Sequence, residues 1–168
     1  ENLWSLETIN LRDFGEGKHK NVDDTPAGGG AGMILRADIV SQAIKKALSD
    51  GFEKNPIICL SARGKRFDQK MAEKLSKNDG LTLLCGRFEG IDQRVIDAYN
   101  VQEVSIGDFV LTGGEIPAQL IIDSTVRLLP NVLGNKSSLD EESFANGLLE
   151  HPQYTRPNIW NERLIPEV

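Results

Sequence analysis

Short uninterrupted apolar runs alternate with amphipathic helical segments through the first three quarters of the sequence. A run without polar alternation is typical of a strand that is buried on both faces, and such strands occur mainly in parallel sheets covered by helices. The alternation therefore predicts an α/β fold with a mainly parallel sheet flanked by helices. The apolar runs lie at 56–60, 81–85 and 101–105, and the helical segments lie at 38–49, at 67–75, at 91–99 and at 116–129.

The ends of these elements also carry signals. Asp38 is predicted to cap the first helix and Gly51 to end it. The first apolar run is expected to end at Leu60, where a polar, glycine-containing loop begins at 61–65.

The size and composition of the chain exclude several classes of protein. With 168 residues, of which 39% are hydrophobic, it has enough apolar material for one domain with a short appendage. No apolar run approaches the roughly 20 residues that span a bilayer, and the start of the chain shows no secretory signal. Cys59 and Cys85 lie inside apolar runs, which favours buried thiols and a cytoplasmic location. The two histidines and two cysteines are far apart, so no metal site is predicted.

Charge leaves the question of nucleic-acid binding open. The net charge of −6 argues against a dedicated nucleic-acid domain, which usually carries a basic surplus. The basic residues nevertheless cluster, at 12–20 and again at 63–70, and the acidic residues concentrate near 140–142.

Three strand ends are followed by glycine-containing loops, at 61–65, 86–90 and 105–114. Ligands of open α/β sheets bind outside the carboxyl ends of the strands, so these loops are the predicted pocket. The second and third loops each combine glycine with an aromatic ring and an acid, a set that suits a flat heterocycle. Ordinary turn chemistry is the alternative for both loops.

Three further features have both a functional and a structural interpretation. The glycine run within 25–33 lets the backbone approach a phosphate or a base closely, or is a flexible surface loop. The carboxylates at 140–142 are suited to proton removal, or form a solvated acidic run. Arg127 is placed to stabilise an oxyanion, or caps helix carbonyls.

Five ordered motifs resemble those of bacterial tRNA (guanine-37-N1)-methyltransferases, members of the SPOUT class. The motifs are DDTPAGGGAGM at 23–33, LCGRFEGIDQRV at 84–95, SIGDFVLTGGE at 105–115, ESF at 142–144 and PQYTRP at 152–157. The resemblance covers essentially the whole chain. It implies a deep trefoil knot, a homodimer, tRNA as partner and S-adenosyl-methionine as cofactor, with the need for a divalent ion undecided.

The resemblance also implies roles for individual residues. Glu142 corresponds to the general base, with Glu141 and Asp140 as adjacent alternatives, and Arg127 to the arginine beside the guanine O6. The target guanine and its neighbours would lie at Asp23, Asp24, Gly28, Gly29, Gly30, Gly32 and Met33. The cofactor would be held by Leu60, Ser61, Gly86, Phe88, Glu89, Gly90, Ser105, Ile106, Gly107, Asp108, Phe109, Val110, Leu111, Gly113, Gly114 and Pro117.

By the same resemblance, residues 1–134 form the methyltransferase domain, 135–143 a linker that carries the base, and 144–168 the start of a tRNA-binding region. The family's first strand would precede Glu1, and the rest of its C-terminal domain would follow Val168. Two alternatives stay open: a SPOUT methyltransferase for another RNA position, and an RNA- or nucleotide-binding module without catalysis.

Overall fold

The computed structural model describes residues 3–133, 143–144 and 149–166. The chain divides into two compact units, Glu1–Gly134 and Asn135–Val168. In the first unit a short 3-10 helix, Leu11–Phe14, precedes the strands and helices. These are β1 (Asp23–Asp24), β2 (Ile34–Leu35), α1 (Ala37–Ala47), β3 (Ile57–Arg66), α2 (Gln69–Leu75), β4 (Thr82–Leu84), α3 (Gln93–Ala98), β5 (Gln102–Ser105) and α4 (Glu115–Val126).

The main sheet has the order β4-β3-β5, and both of its strand pairs are parallel. Helices cover both faces of this sheet. Ile57 and Cys59 of β3 belong to a core cluster with residues of α1 and α3, whereas Ile58 and Leu60 belong to a second cluster with residues of α2 and α4. Successive side chains of a strand point to opposite faces, so the uninterrupted apolar run is buried on both sides. The predicted α/β fold is confirmed.

The expectation that the first apolar strand ends at Leu60 is wrong. Strand β3 continues to Arg66 and pairs with β5 a second time: Val104 is opposite Leu60 and then opposite Lys65. The extension ends where the Phe67 backbone N–H donates to the Ser105 carbonyl, with an N···O distance of 2.7 Å. Backbone pairing with a distant strand therefore overrides a local composition that favours a loop.

The predicted cap of the first helix is also wrong. The residue before α1 is Arg36, and Asp38 lies in the first turn, where its carboxylate accepts from the Arg36 side chain. At its other end the helix continues as a π-helical turn, Leu48–Phe52, which includes Gly51. At this position the Asp38 carboxylate interacts favourably with the helix dipole.

The second unit contributes one antiparallel hairpin to the described residues. Its strands are β6 (Ile159–Trp160) and β7 (Arg163–Leu164). Within the described ranges, no helix is both long enough and apolar enough to cross a membrane.

Candidate active site

A cleft of about 1060 Å³ lies at the carboxyl ends of β3, β4 and β5. The loops that follow β4 and β5 contribute to its lining, as the strand-end argument predicts. The predicted loop at 61–65 is part of β3, and Ser61, Ala62 and Arg63 line the cleft from within that strand. Every residue predicted to bind the cofactor lines the cleft except Asp108.

Two of the lining loops are joined to each other. The Gly114 N–H donates to the Gly86 carbonyl at 2.9 Å, and Arg87 forms an isolated antiparallel bridge with Gly113. The Arg87 guanidinium also pairs with the Glu115 carboxylate, with an Nη2···Oε1 distance of 2.8 Å. Gly113 lies under this ion pair, where an added Cβ would overlap both side chains. The loop after β4 is thus tied to the start of α4.

Apolar side chains form much of the cleft's exposed wall. Phe88, Phe109 and Val110 are 60%, 55% and 86% exposed. Gly107 has a φ of +153°, and the Phe109 ring lies against it where a Cβ would otherwise be. Ser105 is buried, and its hydroxyl exchanges hydrogen bonds with the Gly107 backbone. Exposed rings beside backbone groups fit a flat heterocycle that carries polar substituents.

The glycine run lies in the connection between β1 and β2 and is attached to one cleft loop. The Glu89 N–H donates to the Met33 carbonyl at 3.0 Å, and the Leu35 N–H donates to the Gly90 carbonyl at 2.9 Å. Gly29, Gly30 and Gly32 have positive φ, and an ideal Cβ on Gly28, Gly29 or Gly30 would meet no heavy atom within 4 Å. This open backbone leaves room for a base or a phosphate to approach.

Most of the residues predicted to contact the target guanine do not line the cleft. Asp24 lines the cleft, and so do its successors Thr25, Pro26 and Ala27. The cleft lining does not include Asp23, Gly28, Gly29, Gly30, Gly32 or Met33.

Sequence reasoning missed the charged rim of the cleft. Arg36, Arg63 and Arg94 line it, and each is paired with a carboxylate. The Arg36 guanidinium lowers the pKa of Asp38, and the Arg94 guanidinium lowers the pKa of Asp92. The sequence did carry a signal for two of these ion pairs. At the starts of two helices an arginine and an aspartate stand two positions apart, at 36 and 38 and at 92 and 94.

The structure describes one member of the predicted catalytic pair, Arg127. Arg127 lies at the end of α4, where its N–H donates to the Asp123 carbonyl at 3.2 Å, and it does not line the cleft. Glu142, Glu141 and Asp140 lie outside the described residues. In the part of the chain that the structure describes, no three His, Cys, Asp or Glu side chains are grouped to hold a metal ion.

Comparison with known proteins gives one consistent result. The family model described as tRNA (Guanine-1)-methyltransferase TrmD matches residues 1–168. A protein of a Ruegeria species named tRNA (guanine-N(1)-)-methyltransferase is 62% identical over 168 residues, which are 100% of this chain and 69% of the relative. Relatives with the same name from Cereibacter sphaeroides and Pelagibacter ubique are 66% and 51% identical over 99% of this chain, and this chain covers 68% and 72% of their lengths. The chain therefore belongs to the tRNA (guanine-1)-methyltransferase family TrmD.

Proposed function

We propose that this chain transfers the methyl group of S-adenosyl-methionine to N1 of guanine-37 in tRNA. The observation that carries the proposal is the convergence of the loops after β4 and β5 and of β3 itself on one cleft with exposed aromatic walls, in a member of this family. When bound, S-adenosyl-methionine supplies a methyl group made electrophilic by a sulfonium.

The cleft residues fit such a cofactor. Gly86 and Gly90 have open space where a side chain would be, so a ligand can approach the chain closely there. Phe88 and Phe109 offer apolar faces for an adenine ring, and the cleft is large enough for a molecule of this size.

The proposed chemistry assigns one task to a carboxylate and one to an arginine. Guanine N1 carries a proton at neutral pH, and a carboxylate at the position of Glu142 accepts it. The electron pair left on the base delocalises toward O6, and the Arg127 guanidinium stabilises the negative charge there. Glu141 and Asp140 are the alternative bases because they carry the same group on adjacent residues.

The proposal includes the SPOUT fold with its trefoil knot, a homodimer and a cytoplasmic location. The second pairing of β3 with β5, in which Val104 is opposite both Leu60 and Lys65, supports a tight chain crossing at this place. The dimer would bring residues of two subunits to each site. We assign 1–134 to the methyltransferase domain, 135–143 to a linker that carries the base, and 144–168 to the start of a tRNA-binding region.

The experiment measures methyl transfer from labelled S-adenosyl-methionine to a tRNA transcript with guanine at position 37. A transcript with adenosine at that position is the substrate control. Transfer to the first transcript alone is expected. Transfer to both would indicate another RNA position, and binding of tRNA without transfer would indicate a binding module.

The Glu142→Gln variant tests the base. It should reduce transfer by about 10²-fold or more, because removing a general base costs that much. The affinity for S-adenosyl-homocysteine should stay unchanged, and Glu150→Gln, an exposed carboxylate in the same unit, should transfer normally. Full activity of Glu142→Gln would remove this assignment and make Glu141 or Asp140 the candidate.

A further inference from the structure

An unpaired group of cations begins where the cleft ends. Lys65, Arg66 and Lys70, here called the basic strip, are all exposed. Asp68 is the acid within 63–70, and its carboxylate is already engaged as the cap of α2, accepting from the Met71 N–H at 2.8 Å. Within the described residues, the three cations of the strip have no ion-pair partner.

The basic strip is continuous with the cleft along β3. Ser61, Ala62 and Arg63 line the cleft, and Lys65 and Arg66 follow on the same strand. Arg63 marks the boundary, because its guanidinium is held by the Glu103 carboxylate at 3.1 Å and by the Gln93 side chain at 3.3 Å. Arg63 is therefore neutralised within the fold, whereas the strip beyond it is not.

This arrangement is unusual for an acidic chain. The chain has a net charge of −6, yet three cations lie within the six residues 65–70 directly beyond the cleft. Three like charges within six residues repel one another, and this repulsion is relieved when a ligand supplies the negative charge. The strip is open and lies along a strand and the next helix turn, so it fits an extended polyanion better than a single small anion.

We propose that the basic strip binds the phosphate backbone of tRNA and places the RNA across the mouth of the cleft. The inference rests on the proposed function, which it deepens by assigning a surface to the substrate. Phosphate contacts of this kind orient a nucleic acid without reading its sequence. The strip therefore contributes to tRNA affinity, and the chemical step depends on other residues.

The test replaces the three cations by glutamine in the full chain, as Lys65→Gln/Arg66→Gln/Lys70→Gln. The matched control is Lys45→Gln/Lys54→Gln/Lys77→Gln. These lysines are also exposed, but they lie in segments that lead into the amino ends of β3 and β4. The dissociation constant for a tRNA transcript is measured by fluorescence anisotropy from about 50 to 200 mM salt, a range over which phosphate contacts weaken strongly. Binding of S-adenosyl-homocysteine verifies that each variant is folded.

The strip variant should bind tRNA at least about tenfold more weakly at low salt, and its slope of log affinity against log salt should be smaller by about 2. Its kcat at saturating tRNA should match the wild type, so the loss appears in KM. The control should keep the wild-type slope. Equal behaviour of both triple variants would overturn the inference, as would a loss confined to kcat. In either case the proposed function survives if the wild type still methylates tRNA, whereas a wild type that neither binds nor methylates tRNA contradicts both.

Discussion

At the residue scale, Cys59 shows how burial settles the role of a chemically versatile side chain. It lies on β3 and is 5% exposed, within the core that α1 and α3 share. Desolvation raises the pKa of its thiol to about 11, and the Glu103 carboxylate adds to this shift. A thiol with this pKa is neutral at pH 7 and is a poor nucleophile. Cys59 is thus a packing residue, as its place in an apolar run predicts.

The raised pKa of Cys59 makes stability depend on alkaline pH. The folded chain keeps this proton from the usual thiol pKa of 9.0 up to about 11, whereas the unfolded chain loses it. The stabilisation is therefore fully present below pH 9 and decreases at up to about 1.4 kcal/mol per pH unit above it. In urea unfolding at pH 8 and pH 10, Cys59→Val should lose less stability between the two values than the wild type. An equal loss in both proteins would contradict this assignment.

At the element scale, the second pairing of β3 with β5 depends on one glycine. An ideal Cβ on Gly64 would overlap the backbone of Glu103 and Val104. Gly64→Ala should therefore lower the free energy of unfolding by about 2 kcal/mol, a typical cost of overpacking. Gly28→Ala is the control, because no heavy atom lies within 4 Å of its added methyl group. Urea unfolding measures both variants. Equal free energies of unfolding for the two would contradict the need for glycine at position 64.

The Arg87–Glu115 ion pair joins two elements of the cleft, and its effect should appear in ligand binding. Both side chains are about half exposed, at 51% and 49%, so their pairing contributes less than about 1 kcal/mol to stability. Removing it frees the loop after β4 from the start of α4. Glu115→Gln and Arg87→Gln should each weaken S-adenosyl-homocysteine binding several-fold, measured by calorimetry. Arg12→Gln, which removes an exposed arginine away from the cleft, should bind normally, and unchanged affinity in the first two variants would exclude a positioning role.

At the scale of the whole molecule, apolar side chains on α4 suggest where a second subunit would pack. Ile116 and Leu120 are 63% and 41% exposed, although the opposite side of the same helix is buried in the core. Adjacent exposed apolar side chains are a common feature of protein interfaces. In the proposed homodimer, the second subunit would cover these side chains.

The mass in solution tests this placement. The wild type should have twice the mass of one chain, and Ile116→Asp/Leu120→Asp should have the mass of one, because charges at the centre of an apolar interface are strongly unfavourable. Gln42→Asp, the same change at an exposed position of α1, should remain a dimer. A dimer of the double variant with wild-type affinity for S-adenosyl-homocysteine would place the interface elsewhere.

Local patterns predicted the elements of the sheet because burial on both faces leaves a direct trace in the sequence. Ile57, Ile58, Cys59 and Leu60 are apolar in succession, and the structure divides them between two cores. The carboxyl ends of parallel strands lie at one edge by geometry, so the loops at 86–90 and 105–114 could be assigned to one cleft before their positions were known.

The sequence by itself determined the strand–helix alternation, the family and the set of loops that line the cleft, because each depends on residues close together in the chain. Tertiary structure alone decided the extension of β3 through Gly64 to Arg66, the pairing of Arg87 with Glu115, and the neutralisation of Arg63 by Glu103. These features join residues 28 to 40 positions apart. Polar and glycine residues carry no local signal for such partners, since the same composition suits a solvated loop equally well.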